Sequence, residues 1–255
     1  MKEFKRVKYQ KSPLVEVIFQ LRFPTILSIN AKQPIEFQEK IREKYPFYQE
    51  DDEQQNEMII DPNGNPVQFK ASSLKNYAFI SPDESYKINL TSSFISISTL
   101  KYTYWDEFKK HIEFVIPIFE EIYKPAFYTR VGLRYIDVII REDLGLQNVS
   151  WNELIEPHVL GIITPEIESG VKYYSSDAEY QNPTDNTATK VHFELVHANN
   201  QKELSLLIDC DYYLQSVVEN DKVNIMADKL HKNSSDFINN AITEKLSSAM
   251  EPVEI

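Results

Sequence analysis

Residues 14–23 read Leu-Val-Glu-Val-Ile-Phe-Gln-Leu-Arg-Phe, and this stretch decides the fold. Large apolar side chains occupy every second position from Val15 to Phe23, and three of the four positions between them are polar. A period of two is typical of a β-strand that buries one face. The stretch therefore predicts a first strand whose odd-numbered side chains enter a core.

The residues that follow predict an α+β unit. A short helix is expected after Pro34, and a long amphipathic helix is expected at 104–123, where apolar residues recur at spacings of three and four. The acidic segment 49–55 is expected to be a solvated loop. An antiparallel meander is expected between the helices, with strands at 67–71, 77–81, 86–91 and 94–100.

The same order of elements begins again at Arg130. A strand from 130, a short helix, further strands and a long helix at 223–250 are expected, with a polar, turn-rich excursion at 165–190. The order predicts an α+β fold of two similar halves, 1–125 and 126–255. Each half runs strand, short helix, antiparallel meander and long helix, and the halves are expected to be related by a pseudo-two-fold axis.

Composition limits the classes of partner and compartment. The formal charge is -12, from 27 basic and 39 acidic residues, so the protein repels phosphate backbones and nucleic acid is not an expected partner. No apolar stretch reaches the roughly 18–20 residues of a membrane helix, so no membrane span is expected. The single cysteine, Cys210, cannot form an intrachain disulfide, which favours a reducing, cytoplasmic location.

Two arginines of the second half form a candidate binding site. Arg130 and Arg134 lie on one face of their strand, with Gly132 between them leaving bare backbone where another group can approach. An anion or an acidic peptide would fit such a face. The alternative is that each arginine pairs with a carboxylate on a neighbouring strand, such as Glu16.

Two aspartates form a weak candidate metal site. Asp209 and Asp211 flank Cys210 and point to the same side of their strand, a spacing compatible with one hard cation. Such a site needs further ligands, and solvated aspartates at a strand end are the alternative. His192 and His197 are an odd number of positions apart, so a regular strand sends them to opposite faces. No metal or other cofactor is expected.

Three tyrosines lie within the 165–190 excursion. Tyr173, Tyr174 and Tyr180 are surrounded by polar residues, so their burial is not guaranteed. Exposed tyrosines in adaptable segments favour recognition of a protein partner. The alternative is that these rings pack against their own domain.

Two motifs carry a family resemblance. They are Ser-Pro-Leu-Val-Glu-Val-Ile-Phe-Gln-Leu-Arg-Phe at 12–23 and Arg-Val-Gly-Leu-Arg-Tyr-Ile-Asp at 130–137. Together they resemble a sporadically distributed prokaryotic family of uncharacterised proteins, over nearly the whole chain; Asp137 stands where asparagine is common in that family. The resemblance transfers no catalytic residue by name. Its patchy distribution resembles that of genes in defence or toxin–antitoxin neighbourhoods, which favours partner binding.

The motifs of common enzymes are missing from the sequence. It has no Gly-x-Ser-x-Gly elbow, phosphate loop or dinucleotide fingerprint, and its five glycines are few for phosphate-binding loops. We therefore expect a non-enzymatic, partner-binding protein of a prokaryotic cytoplasm, such as an antitoxin, immunity or defence component. A metal-dependent hydrolase or nuclease-like enzyme using Asp209 and Asp211 is one alternative. A small-molecule sensor with a pocket between the halves is another.

Overall fold

The fold is seen in a computed structural model, which describes residues 7–60, 66–197 and 203–254. Nine strands of these described ranges form one antiparallel sheet: β2 (Leu14–Arg22), β3 (Phe47–Ile60), β4 (Pro66–Ile80), β5 (Tyr86–Leu90), β6 (Phe94–Thr99), β7 (Arg130–Ile139), β8 (Tyr174–Gln181), β9 (Ala188–Val196) and β10 (Ser205–Leu214). Two short strands, β1 (Val7–Tyr9) and β11 (Pro252–Glu254), pair with each other.

Two long helices accompany the sheet, together with several short ones. The α-helices are α1 (Leu27–Ala31), α2 (Ile35–Ile41), α3 (Trp105–Tyr123), α4 (Pro157–Leu160), α5 (Pro165–Glu168), α6 (Val223–Ala241) and α7 (Glu244–Ala249). Helix α3 packs on β6 and on α2, and helix α6 packs on β7 and β10. The expected α+β class is confirmed. None of the described helices is both long enough and apolar enough to cross a membrane.

The centre of the sheet is the antiparallel pair β2 and β7. The strand order is β3-β4-β5-β6-β2-β7-β10-β9-β8, so this pair joins strands from the two ends of the chain. Phe19 of β2 lies opposite Leu133 of β7, and both side chains are fully buried. The core is continuous across this pair, because buried side chains from both strands belong to one cluster.

One expected core position of β2 is wrong. Val15 is 43% exposed, whereas Val17, Phe19 and Leu21 are fully buried as the alternation predicts. The register between β2 and β7 shifts between Leu14 and Glu16, so Val15 is the extra residue of a bulge. A bulge residue does not follow the alternation of the strand. Val15 therefore faces away from the core although its residue type suits burial.

Two segments expected to be irregular contain edge strands. The acidic segment 49–55 lies in β3, and the 165–190 excursion contains α5 and β8. Strands β3 and β8 are at opposite ends of the sheet order, where each pairs with one neighbour. Backbone pairing with one neighbouring strand forms these strands, and edge strands commonly carry charged and polar side chains. Their composition therefore resembles that of loops.

The second long helix ends earlier than expected. Residues 223–250 form α6 and α7 with a break at Ile242 and Thr243. Ile242 makes an isolated antiparallel bridge with Ile155, and the Thr243 N–H donates to the Leu154 carbonyl. The Thr243 hydroxyl oxygen then caps α7 by accepting the Leu246 N–H. Contacts with a distant segment therefore interrupt a continuous helical pattern.

Replacing Phe19 tests the central position of β2. Phe19→Ala removes a fully buried ring from the middle of the sheet, so the free energy of unfolding should fall by about 3–5 kcal/mol. Chemical denaturation followed by circular dichroism measures this loss. Ile18→Ala is the matched control, because Ile18 is half-buried on the opposite face and should lose about 1 kcal/mol. Equal losses would contradict the assignment of the faces.

Candidate functional site

The two long helices bury side chains of different size. Helix α3 buries Trp105, Phe108, Ile112, Val115, Ile116 and Phe119. Helix α6 buries Val223, Ala227, Leu230, Ser234 and Ala241. Three of the five buried residues of α6 are small, so this helix fills less of the space above its part of the sheet.

A cavity of about 890 Å³ lies where α6 faces β7 and β10. Strand β1 and the segment 102–105 line its sides, and Ile242 and Met250 line the end towards α7. Sites for small organic molecules typically measure roughly 300–1,000 Å³ and combine an apolar lining with a few polar groups. The cavity has the size and composition of such a site.

Asp137 is the acidic residue on the sheet side of this cavity. Its side chain is on the buried face of β7 and the residue is 8% exposed. Its register partners are apolar, Leu14 on β2 and Ile208 on β10. No described residue hydrogen-bonds or forms an ion pair with its carboxyl group, and burial raises the pKa of Asp137 to about 7.

Aromatic side chains form a wall of the cavity beside Asp137. The hydroxyl of Tyr135 lies 2.9 Å from Nδ1 of His231. The indole of Trp105 stacks on the His231 ring with centroids 4.6 Å apart, and its Nε1–H donates to Asp228 at 2.8 Å. These contacts join the rings of α3, β7 and α6 in one arrangement.

Cys210 of β10 also lines the cavity. Burial raises the pKa of its thiol to about 12, so the thiol stays protonated at neutral pH. A thiolate is the nucleophilic form of cysteine, and its formation needs a lowered pKa. Cys210 therefore contributes a small, weakly polar surface instead of a nucleophile.

The predicted arginine and aspartate sites meet on the other face of the sheet. Arg130 donates to Asp211 at 2.6 Å, and Arg134 donates through Nε to Asp209 at 2.6 Å and again through Nη2. The partner of each arginine is thus a carboxylate on the neighbouring strand β10, as the cross-strand alternative expected, although neither partner is Glu16. Each pair satisfies both of its charges, which leaves little net charge for an external anion or cation.

The space above Gly132 is occupied by an arginine of the same strand. A Cβ at this position would clash with Nη1 of Arg130. The guanidinium of Arg130 also lies 4.6 Å from the ring centre of Tyr213. The bare backbone of Gly132 therefore accommodates Arg130 instead of a ligand.

The three candidate tyrosines are in different environments. Tyr173 is 70% exposed, whereas Tyr174 packs against the edge of the core. Tyr180 is on β8 opposite Thr189 of β9 and is partly exposed. Of the three, Tyr173 is the one that presents most of its ring to solvent.

Neither a metal cluster nor a known relative identifies the site. Within the described ranges, no group of three or more His, Cys, Asp or Glu side chains is arranged to hold a metal ion. No protein-family model matches the chain, and no curated protein is significantly similar to it. The cavity beneath α6 is therefore the candidate site on its geometry alone.

Sequence reasoning missed Asp137 as a site residue. Its position follows the alternation of β7, in which Val131, Leu133, Tyr135 and Ile139 are all buried. A carboxylate at a core position of a strand is the signal in the sequence that could have identified it. The cavity itself had a weaker signal, the small residues on the buried face of α6.

Asp137→Asn tests the unpaired carboxyl group. The folded-state pKa, about 7, is above the ordinary value of 3.8, so the folded protein holds the proton more tightly. The contribution of Asp137 to the stability of the wild type is therefore greatest below about pH 4, and it is lost as the pH rises to about 7. The asparagine variant lacks this loss, and at pH 8 it should be more stable by up to about 4 kcal/mol.

Denaturant unfolding at pH 5 and pH 8 measures this difference. The control is Asp143→Asn, which removes the charge of an exposed aspartate in the turn after β7 and should leave the pH dependence of stability near that of wild type. An Asp137→Asn protein with the same pH dependence as wild type would show that Asp137 has an ordinary pKa.

Proposed function

We propose that this protein binds a small organic molecule in the cavity beneath α6. The observation that carries the proposal is the buried Asp137 carboxyl group, which lines a cavity of ligand size without a partner among the described residues. A buried polar group without a hydrogen bond costs about 1–3 kcal/mol of stability. A ligand that supplies the missing donor would recover that loss.

The remaining lining supports binding more than chemistry. The apolar side chains Ile139, Ile208 and Phe237 offer surface for the body of a ligand. The Cys210 thiol is not activated, which argues against covalent catalysis in the cavity. A sensor or carrier role fits a preformed pocket of this kind.

The outer face of the sheet, where Asp209 and Asp211 lie, does not support the metal-dependent hydrolase. Asp209 and Asp211 are each bound to an arginine, so a metal ion would have to displace a guanidinium from both carboxylates. Binding in the cavity is therefore the better supported function.

Protein binding through the 165–190 excursion is a second candidate function. Tyr173 is 70% exposed, and Ile162 and Ile167 are exposed apolar residues near it in the chain. Exposed aromatic and aliphatic side chains in one segment favour a protein partner. An antitoxin, immunity or defence component of a prokaryotic cytoplasm would use such a surface, and the buried single cysteine is compatible with a reducing compartment.

We further propose that the halves 1–125 and 126–255 arose by duplication of one α+β unit. Outward from the centre, the first half has the order β2-β6-β5-β4 and the second has β7-β10-β9-β8. A helix of 19 residues follows the strands in each case, α3 in the first half and α6 in the second. A pseudo-two-fold axis between β2 and β7 would relate the two series.

Ser234→Leu tests the ligand cavity. Ser234 is buried and lines the cavity, so a larger apolar side chain there should occupy ligand space. Compounds found by screening a fragment library with ligand-detected NMR should bind wild type and lose about tenfold or more in affinity for this variant. Ser248→Leu on the exposed side of α7 is the matched control. Fragments that bind all three proteins equally would contradict the proposal.

Site-specific photocrosslinking tests the second candidate. A photoreactive amino acid at Tyr173, expressed in the native cell, should give one discrete adduct with a second protein because this ring is exposed. The same amino acid at exposed Lys232 of α6 serves as the control for non-specific capture. Identical adducts at both positions, or none at Tyr173, would contradict a partner surface there.

A further inference from the structure

We infer that the ligand of the cavity is an amphiphilic organic amine whose ammonium group binds the Asp137 carboxylate. This inference rests on the proposed ligand-binding function and adds the chemical class of the ligand. It is drawn from the pairing of the charged groups around the cavity and from the apolar and aromatic character of its walls.

The protein's own lysines at the cavity are engaged elsewhere. Lys232 forms an ion pair with Asp236 at 2.6 Å, and its side chain is largely exposed. Lys8 of β1 lies over the ring of Tyr104, 5.9 Å from its centre. Neither ammonium group bonds to Asp137, so no described lysine that lines the cavity neutralises the carboxylate. A ligand can supply the cation at this position.

An ammonium group fits a buried carboxylate better than a neutral donor does. A hydrogen bond between two charged groups is roughly twice as strong as one between neutral groups. A hydroxyl or amide donor would leave the negative charge of the ionised Asp137 carboxyl group uncompensated. The formal charge of -12 also attracts cationic ligands and disfavours carboxylates and phosphates at long range.

The aromatic wall suits the same ligand class. The rings of Trp105 and Tyr135 line the cavity, the second of them two positions from Asp137 on the same strand. Aromatic faces attract ammonium groups through their quadrupoles, and the attraction is larger when water is excluded. The Asp137 carboxyl group and the aromatic rings together therefore form a part of the cavity that suits an ammonium group.

The rest of the cavity suits an apolar body. Ile208, Phe237, Ile242 and Met250 supply apolar lining. Removing an apolar ligand surface from water contributes roughly 25 cal/mol per Å². A small hydrophilic polyamine would gain little from these walls, whereas an arylalkyl or alkyl amine would gain from both ends.

Matched probes test the charge preference. Tryptamine and 2-phenylethylamine are compared with 2-phenylethanol and 3-phenylpropionate, which keep a similar body and replace the ammonium group. Calorimetry or NMR titration of the full chain at pH 7.5 should give affinities about tenfold or more higher for the amines. Asp137→Asn should reduce amine affinity by about tenfold or more and leave 2-phenylethanol unchanged, since tenfold corresponds to about 1.4 kcal/mol.

Two controls keep the outcomes distinguishable. Asp177→Asn changes the net charge equally at a distance from the cavity and should retain amine binding. An alcohol or carboxylate that binds as tightly as the amine, or amine affinity that survives Asp137→Asn, overturns the inference. If amines fail while other fragments bind in a way that depends on Ser234, only the amine assignment falls. If no compound depends on Ser234, the ligand-binding proposal falls with it.

Discussion

The antiparallel pairing of β2 with β7 is the contact on which the rest of the structure depends. It places Phe19 opposite Leu133 in the middle of one continuous core and joins the two arms of the nine-stranded sheet. Because side chains alternate along a strand, this register also decides which residues of β7 face the helices and which face outward. A shift of one residue would bring Arg134 into the core and expel Asp137.

The polar residues on the two faces of β7 differ in whether their charges are paired. On the outer face, Arg130 and Arg134 are each bound by a carboxylate of β10, so their charges are compensated within the sheet. On the inner face, Asp137 lies among apolar neighbours with no such partner among the described residues. A charge that is satisfied contributes to structure, whereas an unsatisfied one beside a cavity is available to a ligand. The strand thus separates a structural network from a candidate binding site.

Hydrophobic periodicity predicted the elements that bury one face. The strands β2 and β7 and the helix α3 follow their patterns closely, because burial against a neighbour selects apolar residues at a fixed period. The same reasoning failed for β3 and β8, whose strand conformation depends on backbone bonds to one neighbouring strand. It also failed at Ile242, where the bridge to Ile155 ends α6. Neither the backbone bonds of an edge strand nor a bridge to a distant residue produces a periodic pattern in the local sequence.

The amino-acid sequence by itself determined the α+β class, the alternation that buries Phe19 and Leu133, and the residue types of the outer face. The tertiary structure alone decided that Arg130 and Arg134 bind Asp211 and Asp209, since strand neighbours far apart in the chain are set by sheet order. It also decided that Asp137 has no partner among the described residues and that small residues of α6 leave a cavity above it. Pairing and empty space are properties of all neighbours together, so no single segment of the sequence encodes them.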